Sequence, residues 1–286
     1  MTPLDAHALL KQYDLRPSKG LGQNFLVNPN ALASIVAAAE LTPDDTVLEI
    51  GAGLGTLTER LAQAAGHVVA VELDERLMGV LHDTLSGSSN VEIVQGDILE
   101  LDPASLVAPA AQYAVVANLP YYITSAVLRH LLEARARPRR MVVTVQREVA
   151  ERIVAQPGEM SMLSVSVQFY GRPHVLFRIK PGSFYPSPDV ESAVVRVDTH
   201  DTPPVDVEDV DAFFRVVKAG FAQRRKQLRN TLAGGLHLPP EEVEARLQKV
   251  SIDPKRRAQA LSLEEWAKVA RALAPSLLGG GTVPPP

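Results

Sequence analysis

The residue types and spacing best suited to a defined chemistry lie in the stretch VVANLPYYI, residues 115–123. An amide, Asn118, ends an apolar run and is followed directly by Leu119, Pro120 and Tyr121. An exocyclic amine on a nucleobase is a poor nucleophile because its lone pair is delocalised into the ring. Acceptors that bind its N–H groups draw the pair back toward nitrogen. The Asn118 side-chain oxygen and a backbone carbonyl near Leu119 can serve as those acceptors. Pro120 has no N–H and a fixed φ, which stiffens the turn. Tyr121 offers a face on which a base can stack, worth ~1–3 kcal/mol. The combination suits a site that grips a flipped-out base and aims its amine at a methyl sulfonium.

A second constellation points to a nucleoside-bearing cofactor. In LEIGAGLGTLTE, residues 48–59, an apolar strand ends at Ile50 and Gly51, Gly53 and Gly55 precede a helical pattern. Glycines permit close backbone approach, and a helix N-terminus offers N–H groups to a polar ligand. The same glycines also suit a plain tight turn. Glu72 closes the next strand, where a carboxylate can accept both hydroxyls of a ribose, and Asp97 in QGDIL can contact an adenine amine or cap a helix. An NAD-type dehydrogenase would share all three features. NLPYY decides between them, since hydride transfer has no evident use for it.

Little further machinery is needed. The alkylated amine becomes acidic and loses its proton to water, so the acceleration must come mostly from orientation, an effect that can supply ~7–11 kcal/mol. The sequence has no GxSxG, HExxH, CxxC or GxxxxGK[ST] pattern, its seven histidines lack ligand spacing, and it has no cysteine. No metal is expected.

Repeated β-α units must position these groups. TVLEI (46–50), HVVAVE (67–72), VEIVQ (91–95), YAVVA (113–117) and RMVVTV (140–145) are short and mostly continuous in hydrophobicity, as in parallel strands buried on both faces. Helical patterns such as LTERLAQAA, ERLMGVLHDTL and TSAVLRHLLEA separate them, which predicts an α/β sheet with helices on both sides. VLFRIK (175–180) and SAVVRV (192–197) read as a closing hairpin. After the linker HDTPPVDVED the periodicity is helical through DAFFRVVKAGFAQRRKQLRNTL, PEEVEARLQKV and SLEEWAKVARAL, with Ser262 and Glu265 spaced as a capping box. The expected domains are 1–200, including a cofactor-closing segment 1–40, and a helical 201–275, followed by a disordered tail 276–286.

At 46% hydrophobic content the chain can bury a sizeable core, and no window approaches a membrane span. The absence of cysteine and of a signal-like start favours a soluble, cytoplasmic protein. The net charge of −4 is uneven: 16 Lys/Arg face 22 Asp/Glu up to residue 200, but 13 face 11 beyond it. Arg135, Arg137, Arg139 and Arg140 cluster, QRRKQLRN spans residues 223–230, and PKRR follows at 254–257. Such runs suit a localised phosphate-binding surface on an otherwise acidic protein.

Taken together, SKGLGQNFLVN, LEIGAGLGTLT, VAVELD, QGDIL, ANLPYYI, PGSFYPSPDVESAVVR, FAQRRKQLRNTL and RAQALSLEEW make the chain resemble the bacterial small-subunit (16S) ribosomal RNA adenine N6,N6-dimethyltransferases, over roughly residues 16–273. The resemblance implies a Rossmann-like S-adenosylmethionine-dependent methyltransferase sheet with a small all-helical C-terminal domain. It implies transfer of four methyl groups to two adjacent adenines near the 3′ end of small-subunit RNA, within a partly assembled subunit, by a monomer with a role in subunit biogenesis. It carries cofactor binding onto Asn24, Leu26, Gly51, Glu72, Asp97 and Asn118, and base handling onto Asn118, Leu119, Pro120 and Tyr121, with Phe184 as the opposite stacking face. Read from the residues alone, Phe184 is equally a core anchor and Asn24 a turn residue. Gln23 can reach the base, and Arg224, Arg225, Lys226 and Arg229 are the expected RNA contacts. Two departures from the pattern are Tyr122, where many relatives carry Asn, and Gly20, where a bulkier residue is usual. The alternatives are a large-subunit rRNA adenine methyltransferase and a ribosome-assembly factor with incidental catalysis.

Overall fold

The computed structural model describes residues 6–273. The proposed tail 276–286 lies outside them. The chain divides into two compact units, Met1–Glu151 with Gly171–His200, and Arg152–Tyr170 with Asp201–Pro286.

The first unit is built on seven strands: β1 (Thr46–Ile50), β2 (His67–Glu72), β3 (Val91–Gln95), β4 (Ala114–Asn118), β5 (Arg140–Gln146), β6 (Gly171–Ile179) and β7 (Ser192–Thr199). Their spatial order is β3-β2-β1-β4-β5-β7-β6. The first five run parallel, and β7 lies antiparallel to both β5 and β6. Helices cover both faces of this Rossmann-like sheet. Central strands are buried on both sides because adjacent branched residues point to opposite faces: Val47 and Leu48 in β1, Val115 and Val116 in β4, and Val142 and Val143 in β5 exclude solvent completely. Strand β3 departs from the expected two-sided burial. It pairs only with β2, and none of its residues is fully buried: Val91, Ile93 and Val94 are half-buried, Glu92 and Gln95 exposed.

Several strand boundaries differ by a residue or more from the sequence expectation, and two of the differences bear on the site and the sheet edge. Strand β4 ends one residue later, so Asn118 is its last residue and lies opposite Thr144. Strand β6 begins at Gly171 rather than Val175 because its pairing with β7 continues to Thr199, across an irregularity between Val175 and Phe177. Before the sheet, Phe25–Leu26 pairs antiparallel with Phe184–Tyr185. A helix at Ala6–Gln12 packs through Leu10 into a cluster with Phe25, Leu54, Leu77 and Val80.

The second unit is helical. Residues 152–170, expected within the first domain, group here because the helix Met162–Tyr170 carries aromatic side chains that meet those of Val210–Phe221. Phe169 stacks on Phe213 at 4.9 Å and Tyr170 on Phe214 at 5.7 Å. The continuous helix expected through DAFFRVVKAGFAQRRKQLRNTL is interrupted at residues 222–227. A new helix starts at Leu228, whose N–H donates to the Arg256 carbonyl at 2.7 Å, while the Arg229 N–H donates to the Pro254 carbonyl. The PKRR loop thus satisfies the first two N–H groups of this helix, while those of Asn230 and Thr231 donate to the Gln227 carbonyl. The capping box forms as expected. The Ser262 N–H donates to Glu265 at 2.9 Å, and the Glu265 N–H donates to Ser262 Oγ.

Candidate active site

The carboxyl ends of β1 and β4 lie side by side, with Ile50 opposite Ala117, where the strand order reverses. Open α/β sheets leave a crevice at such a point. Here it is a cleft whose lining includes Gly51, Glu72, Asp97, Asn118 and Tyr121. Side chains up to 70 residues apart converge on it because parallel strands all present their carboxyl ends to one sheet edge.

The glycine turn acts by close approach rather than by donating N–H groups. The Gly51 and Ala52 N–H groups donate to the Val71 carbonyl, and the Gly55 N–H to the Ala52 carbonyl. Gly53 has φ +60, and a Cβ there would lie 2.9 Å from the Phe25 ring. The loop can therefore run closely beneath the 21–25 segment only with glycine at this position.

Glu72 is buried, with Oε2 accepting from the Gly53 N–H at 2.8 Å and Oε1 from the Asp74 N–H at 2.9 Å. Burial raises its pKa, against the lowering effect of these backbone bonds. The carboxylate keeps acceptor capacity beyond its backbone bonds, which fits a vicinal diol. Asp97 accepts from the Leu99 N–H through Oδ1, but this closes a turn at residues 98–100 rather than capping a helix, and Oδ2 holds no partner among the described residues. Ile50, Val71 and Ile98 supply apolar walls. This set of a diol acceptor, an amine acceptor and flat apolar walls fits an adenosine-bearing cofactor.

Asn118 Nδ2 donates to the Asn24 carbonyl at 3.0 Å. That bond orients the amide and leaves Oδ1 as the end that accepts. The Leu119 N–H donates to the Thr144 carbonyl at 3.2 Å, which fixes the turn from below. The Pro120 carbonyl accepts from the Ile123 N–H and Thr124 Oγ1, starting the next helix. Tyr121 is half-buried, and its hydroxyl bonds Ser192 Oγ on β7 at 2.7 Å, which holds the ring at the cleft. Tyr122 is exposed and packs over Gly22.

Two expected site residues lie elsewhere. Leu26 is buried in the core cluster with Ile35, Leu61 and Val116, and its carbonyl accepts from Thr56 Oγ1. Phe184 belongs to the same cluster and is only 4% exposed, so in this structure it is the core anchor rather than a free stacking face. Neither lines the cleft. Gln23 lines it, but both ends of its amide are engaged, Nε2 with Asp74 and Oε1 with the Ser18 N–H. Among the described residues, no group of three His, Asp or Glu is placed to hold a metal ion.

The basic residues separate in the second unit. Arg224, Arg225 and Lys226 are exposed on the turn after Val210–Phe221. Arg229 is half-buried and paired with Glu244 at 2.6 Å.

A family model for ribosomal RNA adenine dimethylase matches residues 16–275. The chain belongs to this family. A small-subunit ribosomal RNA methyltransferase A of Dehalococcoides mccartyi is 47% identical over 92% of this chain and 91% of its own length. The Moorella thermoacetica protein of the same name is 45% identical over 95% and 98%. Among solved structures, the 23S rRNA methyltransferase ErmE is 29% identical, with TM-score 0.69 over 88% of this chain and all of its own. A dimethyladenosine transferase from Plasmodium falciparum, 24% identical with TM-score 0.75 over 88% and 98%, shares the fold. As a family member the chain is an S-adenosylmethionine-dependent RNA methyltransferase, and the cleft is where family membership and side-chain geometry coincide.

Two residues of the cleft's support were missed by sequence reasoning. Asp74 stands two residues after Glu72 in the VAVELD run, and Ser192 was read only as a strand residue. The acidic residue two places after Glu72 was the available signal for Asp74. Nothing in the sequence pointed to Ser192, because its pairing with Tyr121 spans 71 residues.

Proposed function

We propose that this protein transfers methyl groups from S-adenosylmethionine to the N6 amines of two adjacent adenines in a hairpin near the 3′ end of small-subunit ribosomal RNA. It acts in the cytoplasm, as a monomer, on a partly assembled subunit. No described helix is long and apolar enough to cross a membrane, which is compatible with that setting. The names of the similar proteins from D. mccartyi and M. thermoacetica support the small-subunit choice.

The observation that carries the chemistry is the tether of Asn118 Nδ2 to the Asn24 carbonyl, which leaves Oδ1 to accept an N–H at the cleft. When bound, the cofactor supplies a methyl carbon made electrophilic by its sulfonium. Asn118 Oδ1 and the Leu119 carbonyl accept the two N6 hydrogens and localise the lone pair on nitrogen. Tyr121, held by Ser192, presents a face for the base. With the donor bound, the amine lone pair held by these acceptors would take the methyl carbon as the C–S electrons stay with sulfur, and the proton would pass from nitrogen to water. A second round on the monomethylated amine gives N6,N6-dimethyladenosine. Glu72 and Asp97 hold the adenosine end, and Arg224, Arg225 and Lys226 contact phosphates.

Nucleoside mass spectrometry tests this reading. Protein and S-adenosylmethionine are incubated with unmodified small subunits, with large-subunit RNA in parallel. N6,N6-dimethyladenosine confined to the small subunit is the expected outcome. The same product in large-subunit RNA alone, or none in either, would overturn it.

A further inference from the structure

A continuous set of hydrogen bonds joins the two halves of the cleft through the 18–24 loop. On the cofactor side, Glu72 Oε1 accepts from the Asp74 N–H. Asp74 is buried and held further by Arg76, whose backbone N–H and Nε donate to Oδ1 and whose Nη2 donates to Oδ2. That carboxylate is therefore a fixed point. Gln23 Nε2 donates to its Oδ2 at 2.8 Å, across 51 residues of sequence. The other end of the Gln23 amide accepts from the Ser18 N–H at 2.7 Å, and the Gln23 N–H donates to the Ser18 carbonyl. The loop is thus closed on itself and pinned at one residue.

Beyond Gln23 the same loop reaches the base side. Asn24 Nδ2 donates to the Gly22 carbonyl at 3.1 Å, and the Asn24 carbonyl receives Asn118 Nδ2. Gly22, at φ +59, sits so close to the NLPYY turn that a Cβ would lie 3.3 Å from the Tyr122 ring. Among the described residues, only the loop supplies the acceptor that orients the Asn118 amide, and only Gln23 ties that loop to Asp74 by a side-chain bond.

Resting on the methyl-transfer reading, we propose that Gln23 and Asp74 are positioning residues: their hydrogen bond sets the loop whose Asn24 carbonyl orients Asn118, so alignment of the base amine depends on the cofactor-side carboxylates. Neither residue touches the reacting atoms in this role. The hydrogen bond to a carboxylate makes the connection stronger than an amide–amide contact.

The bond pattern prescribes a swap. Gln23→Glu sets two carboxylates against each other, and Asp74→Asn sets two NH2 groups together, since the Gln23 oxygen is engaged by Ser18. The double variant Gln23→Glu/Asp74→Asn restores one donor and one acceptor between the two positions while Ser18 keeps its acceptor, although the new NH2 at 74 also faces Arg76 Nη2, which the carboxylate had satisfied. Three readouts apply to Gln23→Ala, both single swaps and the double variant. These are hydrogen exchange of residues 18–24 in the free protein, the dissociation constant for S-adenosylhomocysteine, and kcat on small subunits.

Each single variant is expected to raise loop exchange and lower kcat by about tenfold, with S-adenosylhomocysteine affinity within about threefold, as befits loss of one charge-assisted bond. The double variant recovers part of the loss, exchanging less and turning over faster than either single swap, with the Arg76 contact to the carboxylate not regained. Exchange in β1, β4 and β5 stays at the wild-type level and certifies the fold. Single variants that exchange and turn over like wild type would overturn the proposal, as would a double variant no better than the singles. If the wild-type protein methylates no substrate, the functional reading fails instead, and loop exchange still reports on the latch.

Discussion

The side-chain amide of Asn118 is oriented by the main-chain carbonyl of Asn24, 94 residues earlier in the chain, at 3.0 Å. An amide is ambiguous between donor and acceptor until one end is committed. Committing Nδ2 turns Asn118 into an acceptor toward the cleft, the polarity that an attacking amine requires.

Asn118→Ala therefore should lower kcat by about 10²–10³, the usual cost of removing one group that binds developing charge in a transition state. Asn118→Asp should fare no better, since a carboxylate oxygen would face the Asn24 carbonyl. Single-turnover methyl transfer is the measurement, and turnover near wild type for the alanine variant would remove Asn118 from the amine-acceptor role.

Glu72→Ala should weaken S-adenosylmethionine binding by about 10- to 100-fold, as loss of hydrogen bonds to a charged group costs ~1.5–3 kcal/mol. Affinity for ribosomal RNA should not change. Calorimetry with donor and RNA in turn checks both, and unaltered donor affinity would exclude Glu72 from the site.

Glu49, fully buried on β1, makes a pH prediction. Desolvation, reinforced by the nearby Glu72 charge, pushes its carboxyl up to about 8. Because the folded-state pKa is raised, the native protein holds a proton there that the unfolded chain releases above its ordinary value of 4.5. Stability from this residue is complete below that value and falls as pH rises toward 8. Glu49→Gln keeps the neutral shape, so its thermal stability should exceed wild type clearly at pH 8 and by much less at pH 5. Parallel melting temperatures at the two pH values would contradict the assignment.

The basic residues should separate by role. Alanine at Arg224, Arg225 and Lys226 together should reduce RNA affinity and lower the slope of log affinity against log salt by about 2–3, since each phosphate contact releases counterions. Arg229→Ala should leave that slope nearly unchanged and instead destabilise the helical unit, because Arg229 is paired with Glu244. Fluorescence titrations across a salt series, with unfolding curves for the second variant, distinguish the two cases.

Gly220 marks the tightest helix contact in the second unit. A Cβ there would meet the buried Trp266 ring at 2.3 Å. Gly220→Ala should cost about 1–3 kcal/mol, the range of overpacking in a filled core. A denaturant midpoint equal to wild type would show that Trp266 can move aside.

The strand pattern was readable in order because each parallel strand is a short apolar run, a local property of the sequence. Gly51, Glu72, Asp97 and Asn118 could be assigned to one sheet edge for the same reason: each ends a strand or follows one. Strand β3 and the break at residues 222–227 were misread where local pattern and tertiary neighbour disagree. VEIVQ is apolar enough for the interior but is left at the sheet edge, and QRRKQ suits a helix but is turned by bonds to the Pro254 and Arg256 carbonyls.

What the sequence determined by itself was the chemistry available: an amide, a proline and a tyrosine at a strand end, carboxylates at the neighbouring strand ends, and a family pattern spanning nearly the whole chain. What only the tertiary structure decided was how those groups are committed. Which end of Asn118 faces the cleft, that Phe184 and Leu26 lie in the core, that Arg229 is paired, and that Gln23 closes on Asp74 all rest on contacts between residues far apart in the chain. Residue type sets what a group can donate or accept, while burial and the partner brought to it by folding set which capacity is left for a ligand.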